Sequence, residues 1–492
     1  MELGTIVTIL DVILLTIVIV GTGLLIYKLK LGSKNHVLLF ILFIFYWMAP
    51  LMCREYTGQM HIHMGLKDGG WLLWLPLTIY AIAGLFWRPL TDVLSCKLQS
   101  RKKVIYISLV IQALTLWPMF AWPNLTTNII QSIGTGVGAS AIGLFNLMFT
   151  ESHHKKKVFV TVSILALPPL IAEFITSALE AIVCAMVPEH GLDPAQPDLP
   201  SSTIYLDYLK WLWLVALIFV VVSFVITIFF KEERETLFKD LNFKEPIVTK
   251  QNRQVVTLVC IAGAIFAFVR WVSAGPSSVT QLIYIAMFDK MNPETSTSYF
   301  IEEVKFFEGY LSLMFALGQL AGAIIAGLAL SRHQDRTKVA LIAVGSFIWL
   351  IYLLTNGIVI NVHMFFWSNI LNGLGYGLIY PVLIGLMLNK MYVNKNIITP
   401  IGVFNTCMAG GIFVGSLFNN LIKGPVYDFH ETPETSTAQF FMTDNWAVNG
   451  TTMFLIVCMV VLFVFSYSLE KKYPPMKTNM GTKFVAAGES EI

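Results

Sequence analysis

The chain has 492 residues, 56% of them hydrophobic and only 13% charged, with a formal net charge of +3 and a mean hydropathy of +0.70. A soluble globular chain carries about 25% charged residues, so this composition excludes a soluble enzyme or a nucleic-acid-binding domain and describes a polytopic membrane protein. The six cysteines, Cys53, Cys96, Cys184, Cys260, Cys407 and Cys458, are scattered without metal-ligand or redox spacing.

The first apolar run, Thr5 to Tyr27, follows "MELG" without a basic leader. Its length suits a spanning helix better than a cleaved signal. Lys28, Lys30 and Lys34 follow it and place its end in the cytoplasm. Six further runs predict spanning helices at about 37–58, 71–95, 104–122, 126–150, 158–187 and 204–230. A charged segment, "KEERETLFKDLNFKEPIVTKQNRQ", fills 231–254. Six more runs follow at about 255–288, 305–331, 339–360, 362–388, 396–423 and 446–469. The expected organisation is an extra helix with a basic turn (1–36), a first six-helix half (37–230), a linker (231–254), a second six-helix half (255–470) and a tail (471–492). With the linker in the cytoplasm, 25 of the Lys and Arg residues fall on that side, 5 on the other and 3 (Arg88, Lys210, Arg270) inside helices. That asymmetry puts the N-terminus outside and the tail in the cytoplasm, at the cell membrane.

The two sets of six also match each other. A shift of 235 positions lays "CKLQSRKKV" (96–104) on "SRHQDRTKV" (331–339), with five of nine positions identical or Lys/Arg exchanges, and Gly138 on Gly373. Internal duplication of this kind marks secondary transporters. Two six-helix halves, a charged central loop and a basic loop after the second helix of each half resemble the major facilitator superfamily over about 37–470. The superfamily's loop motif, a glycine, an acidic–basic pair, then a glycine and a basic cluster, is represented by "RPLTDVLSCKLQSRKK" and "GLALSRHQDRTK". Cys96 and Ser331 stand where the motif has its acid, with Asp92 one turn earlier. The resemblance implies an all-α protein of two pseudo-symmetric six-helix bundles plus one extra N-terminal transmembrane helix. It implies solute transport by alternating access.

Enzyme signatures are absent: no zinc-type His pair on one helix, no Walker-A loop, no G-x-S-x-G and no Rossmann fingerprint. No cofactor and no metal are expected. His61 and His63 read as loop histidines, and His153 and His154 as part of a basic anchor with Lys155–Lys157. Glycines four apart in "GTGVG" (134–138), "GLGYG" (373–377) and "GGIFVG" (410–415) permit close helix packing or form a sliding surface between moving halves. Pro168–Pro169, Pro276 and Pro381 interrupt the helical hydrogen-bond ladder. Asn124 and Asn449 head glycosylation sequons, both too near a membrane segment to be acceptors.

Ionisable residues at bilayer depth are costly and therefore informative. Arg270 lies near the middle of its run; Glu173 sits beside the proline pair, with Glu180 two turns beyond on nearly the same face; Arg54 sits seventeen residues into the equivalent helix of the first half, at an approximately matching position. Two arginines facing one another across a pseudo-twofold axis would clamp a divalent anion, because guanidinium groups grip phosphate or carboxylate in a fork. That pairing resembles the organophosphate:phosphate antiporters of the superfamily and implies that Arg54 and Arg270 hold the substrate's phosphate. Two simpler readings stand beside it: a surface ion pair at Arg54, and a structural salt bridge between Arg270 and Glu173. Tyr46, Trp47, Asn146, Trp271, Asn372, Tyr376 and Asn405 are candidates for the rest of the pocket, where an apolar wall carries a few convergent polar groups. The expected partners are a small polar, anionic solute, a coupling ion (proton or phosphate) and the lipid bilayer, with no nucleic acid and a monomeric chain. The alternatives are a proton-coupled carrier or exporter of a neutral or amphipathic solute, with Glu173 and Glu180 as coupling groups, and a channel or membrane sensor.

Overall fold

A computed structural model describes residues 3–28, 34–54, 75–152, 158–185, 200–232, 253–274, 298–332, 334–355, 362–391, 400–427 and 446–472. His61, His63, His153, His154, Pro276, most of the linker and the tail beyond 472 lie outside them.

The described chain is almost entirely helical. Helix α1 (Leu3–Lys28) is followed by α2 (Lys34–Arg54), α3 (Leu75–Leu98), α4 (Arg101–Ala121), α5 (Leu125–Ser140), α6 (Ile142–Ser152), α7 (Val158–Ala185) and α8 (Pro200–Phe229). After the linker come α9 (Arg253–Ala274), α10 (Ser298–Arg332), α11 (Gln334–Thr355), α12 (Val362–Met391), α13 (Pro400–Tyr427) and α14 (Trp446–Lys472). Among the described residues, nine spans are long and apolar enough to cross a membrane. Large apolar side chains such as Phe86, Leu114, Val221, Leu328, Phe347 and Leu421 point outward, as a lipid-facing surface requires. Trp117, Trp122 and Trp211 are exposed at one end of α4 and α8, in the manner of an interfacial aromatic belt.

One span is divided differently from the sequence reading, for a local reason. The run read as one helix over 126–150 is two, α5 and α6, joined at Ala141 within one span. Gly134, Gly136 and Gly138 weaken α5 near its end, and the Ala141 N–H turns back to Gly138 O in a tighter, three-residue closure. Asn124 starts α5 with a reciprocal capping box to Thr127, which satisfies end donors that the bilayer cannot. By contrast, α7 runs through Pro168–Pro169 as one helix.

Helix pairing repeats. In the first bundle α2 packs on α7 and α8, α3 on α5, and α4 on α5 and α8; in the second, α9 packs on α13 and α14, α10 on α12, and α11 on α12 and α14. The bundles meet through α7 against α10 and α3 against α13, contacts that exchange under the same pseudo-symmetry. The loose end, α1, leans on α7. Glycine positions follow the pattern: a Cβ on Gly136 would strike Tyr80 O, and one on Gly373 would strike Phe315 O. Tyr80 and Phe315 are equivalent under the 235-residue shift. Gly377 packs on Gln319 and Gly411 on Ala264, while Gly410 faces open space. These contacts lie within bundles, so the glycines serve packing and not a slide between halves.

On the linker side, the Glu232 carboxylate accepts from Ser100 Oγ (2.6 Å) and the Arg101 N–H (2.7 Å) at the start of α4. Lys102 Nζ donates to Phe230 O at 2.6 Å. The second bundle ties its corresponding corner with Lys338 Nζ to Glu470 Oε1 at 3.0 Å. A carboxylate from just beyond the end of α8 thus meets the positive end of the α4 dipole.

Candidate functional site

Arg270 stands one turn before the end of α9, at the boundary between the bundles. Its Nη2 donates to Glu173 Oε1 of α7 at 2.5 Å, and its Nη1 to the carbonyl of Ala274 at 2.7 Å. The last residue of α2, Arg54, donates through Nη2 to the same Glu173 Oε1 at 3.1 Å. The Arg54 and Glu173 side chains are only 10% and 12% exposed, and that of Arg270 10%. One carboxylate oxygen therefore joins an arginine from each bundle. The three side chains sum formally to one positive charge.

Aromatic faces hold the two cations. The Arg270 guanidinium lies 4.3 Å over the Phe315 ring and 5.7 Å from Tyr376, and the Arg54 guanidinium 5.9 Å over Trp271. Such faces stabilise a cation where water is scarce. Gln319, one turn from Phe315 on α10, lies beside Glu173 and is fully buried. Neither polar atom of its amide has a hydrogen-bond partner in good geometry. Close packing of α9 makes the arrangement possible: Gly411 of α13 sits against the Ala264 backbone, and Gly263 against the Phe404 ring.

The other sequence candidates divide into groups. Trp271 and Tyr376 belong to the cluster. Trp271 also stacks on Tyr80 across the bundle boundary, centroids 6.0 Å apart, and Trp47 packs on the same small core. Asn372 is taken up structurally, with bonds to Ser273 and to Asn369 Oδ1. Tyr46 is buried against Phe145, beside Ser108 and Gln112 of α4, away from the arginines. Asn146 is buried in α6 with partners of its own. Glu180 is buried beside Cys53, the residue before Arg54; it does not share the Arg270 contact. Asn405 receives, on its carbonyl, a hydrogen bond from Arg88 Nη1 of α3.

Arg88, Gln319, Phe315 and Tyr380 are the residues that sequence reasoning did not assign to the site. Arg88 carried a usable signal, a cation inside an apolar helix. The others carried none, because a buried amide or aromatic looks like ordinary packing. Among the described residues, no group of three or more His, Cys, Asp or Glu side chains could hold a metal.

A family model described as Major Facilitator Superfamily matches residues 36–416. Among curated proteins, none matches the chain by sequence. Similar solved structures include the MFS transporter FucP in an outward conformation, with a TM-score of 0.58 at 13% identity, covering 88% of this chain and 98% of that one. Another crystal structure of FucP, described as the fucose:proton symporter of E. coli, gives a TM-score of 0.56 at 13% identity and covers 89% and 99%. The nucleoside transporter NupG gives 0.52 at 13% identity and covers 88% and 99%.

Proposed function

The chain belongs to the Major Facilitator Superfamily, a multi-pass membrane transporter, and from that premise we propose that it carries a small anionic solute by alternating access. The observation that carries this reading is Glu173 Oε1 held by Arg54 and Arg270 at 3.1 and 2.5 Å, one arginine from each bundle. A phosphate or carboxylate of the solute competes with Glu173 for the same N–H groups. Taking its place, the solute bridges the bundles, and its binding energy goes into the contact that must break and re-form as they rock. Glu173, released, is free to take up a proton, which couples anion entry to proton entry in the same site. The halves that rock are 37–230 and 255–470, with the linker and tail in the cytoplasm and the N-terminus outside.

A neutral solute fits less well. It would leave the arginine–glutamate contacts undisturbed and give no reason for two cations at one carboxylate. FucP's fucose:proton symport is compatible with proton use here, but at 13% identity its fold is what is shared.

Counterflow in proteoliposomes tests the reading. Labelled anionic solutes, sugar phosphates and dicarboxylates among them, should enter faster when the same unlabelled solute is inside. Trans-acceleration by neutral solutes alone would overturn the anionic reading, and uptake without trans-acceleration would indicate a channel.

A further inference from the structure

Arg88 is a buried cation without an ion-pair partner among the described residues. It is 8% exposed, in α3 of the first bundle. Among the described residues its one hydrogen-bond partner is the main-chain carbonyl of Asn405, in α13 of the second bundle. Its Nε–H has no acceptor, and neither does the side-chain Nδ2 of Asn405, itself 5% exposed. No carboxylate lies within ion-pair distance of it among the described residues. Its nearest titratable neighbours are instead the neutral phenols Tyr80 and Tyr380. A buried cation without an anion is strongly unfavourable. Here it stands with a second orphaned donor, so the site offers hydrogen-bond donors and lacks an acceptor.

The site is linked to the arginine–glutamate cluster. Tyr380 lies within electrostatic reach of both Arg88 and Glu173. One turn away, Tyr376 stacks on Tyr380 with centroids 5.4 Å apart and faces Arg270 at 5.7 Å. On the other wall Tyr80, near Arg88, stacks on Trp271, over which Arg54 lies. Arg54 ends α2 on the side away from the linker, whereas Asn405 lies near the linker-side start of α13. The two cation sites are therefore displaced along the transport axis.

We infer that Arg88 and the Asn405 amide form a second anion station, on the linker side of the Arg54–Glu173–Arg270 cluster, which takes the same phosphate or carboxylate group of the solute. This rests on the anionic reading above and deepens it. While the Asn405 carbonyl occupies Arg88, α3 and α13 are tied together and the linker side is closed. An anion arriving along the tyrosine wall displaces that carbonyl, accepts from Arg88 and Asn405 Nδ2, and loosens the tie. The station thus couples release of the solute to opening of the linker side. A dianion suits this chain better than a monoanion, because it meets two arginines against one glutamate at the cluster and then a further arginine at the station.

Phenylglyoxal labelling of the purified, unmodified full chain tests this, with the adduct at each arginine read by peptide mass spectrometry. The probes are inorganic phosphate and succinate, each tested alone against a no-anion control. Protection of Arg54, Arg270 and Arg88 by at least one probe is expected. Protection of Arg54 and Arg270 with Arg88 labelled equally overturns the station and leaves the proposed function standing. Protection of Arg88 alone overturns the clamp and keeps the station. Protection of none overturns both. Failure of phenylglyoxal to reach Arg88 without anion also overturns the station, since a solute station must open to a reagent of similar size. In a second measurement, Arg88→Gln should weaken binding of the protecting probe about tenfold or more, with Arg88→Lys in between. Equal affinity in both variants contradicts the proposal.

Discussion

Arg270 and Glu173 meet at 2.5 Å across the boundary between the two bundles, and Glu173 meets Arg54 of its own bundle through the same oxygen. Both partners are buried on apolar helices, where an isolated charge of either sign is costly. The contact therefore has two roles at once. It neutralises charge at bilayer depth, and it joins an arginine of each bundle to one carboxylate.

Arg270→Lys separates these roles. Arg270 uses two nitrogens in different directions, one to Glu173 and one to Ala274 O, and lays its plane on Phe315. Lysine keeps the charge but has neither the fork nor the plane. Transport should fall about tenfold or more at unchanged protein level. Near-normal transport would reduce the arginine to a counter-ion. Breaking a buried pair from one side costs about 3–5 kcal/mol. Arg270→Gln and Glu173→Gln should therefore each lower expression, and the double variant should recover it.

Glu173→Gln removes the competitor for both arginines. The solute's affinity should rise severalfold in direct binding, because the anion no longer displaces a carboxylate. The pH dependence of uptake between about pH 5 and 8 should flatten, since the group proposed to take up the proton is gone. Weaker binding with an unchanged pH profile would show that Glu173 neither competes with the solute nor couples to protons.

Much of this cluster is legible in the sequence. Arg270, Glu173 and Arg54 stand out because charge in an apolar run needs a reason, and the duplication pairs Arg54 with Arg270. Their meeting at one oxygen is not legible, because it depends on how α2, α7 and α9 rotate, and hydropathy carries no rotation in helices that are apolar nearly all round. Phe315, Tyr380 and Gln319 are hidden for the same reason. Arg88 has a visible charge, but its partner is a main-chain carbonyl, which no side-chain pattern announces. The break at Ala141 is likewise invisible to a hydropathy window, since both sides of it are equally apolar.

The glycines predict a contrast. A Cβ on Gly373 would meet the Phe315 carbonyl and the Gln319 N–H of α10, which are backbone and cannot rotate away, whereas one on Gly410 would meet nothing within 4 Å. Gly373→Ala should cost about 1–3 kcal/mol and shift Phe315 and Gln319 at the site, so thermal stability and transport should fall together. Gly410→Ala should be silent in both. Equal tolerance at the two positions would contradict the packing of α10 on α12.

Gln99, between α3 and α4, is held at φ 48°. A side chain in this left-handed region costs about 1–2 kcal/mol that glycine avoids. The turn must be tight, because the Ser100 N–H returns to Ser95 O while the Ser100 hydroxyl reaches Glu232. Gln99→Gly should raise thermal stability by about 1 kcal/mol without changing solute affinity. A loss of stability would mean that the Gln99 side chain contributes more than its backbone costs.

Orientation in the membrane is the remaining prediction. Arg101, Lys102, Lys103, Lys231, Lys338, Lys471 and Lys472 all lie at the linker side of their helices. Several also close helix ends there: Lys102 donates to carbonyls at the end of α8, and Lys338 pairs with Glu470 near the end of α14. Basic residues kept for both topology and end-capping cannot move to the other face without leaving those carbonyls and carboxylates unmatched. The linker side should therefore be cytoplasmic. In a background without the native cysteines, Glu2→Cys should react with an impermeant maleimide added outside intact cells. Thr482→Cys should react only after the membrane is opened. The reverse pattern would invert the frame, and the second anion station would then belong to the outer and not the inner gate.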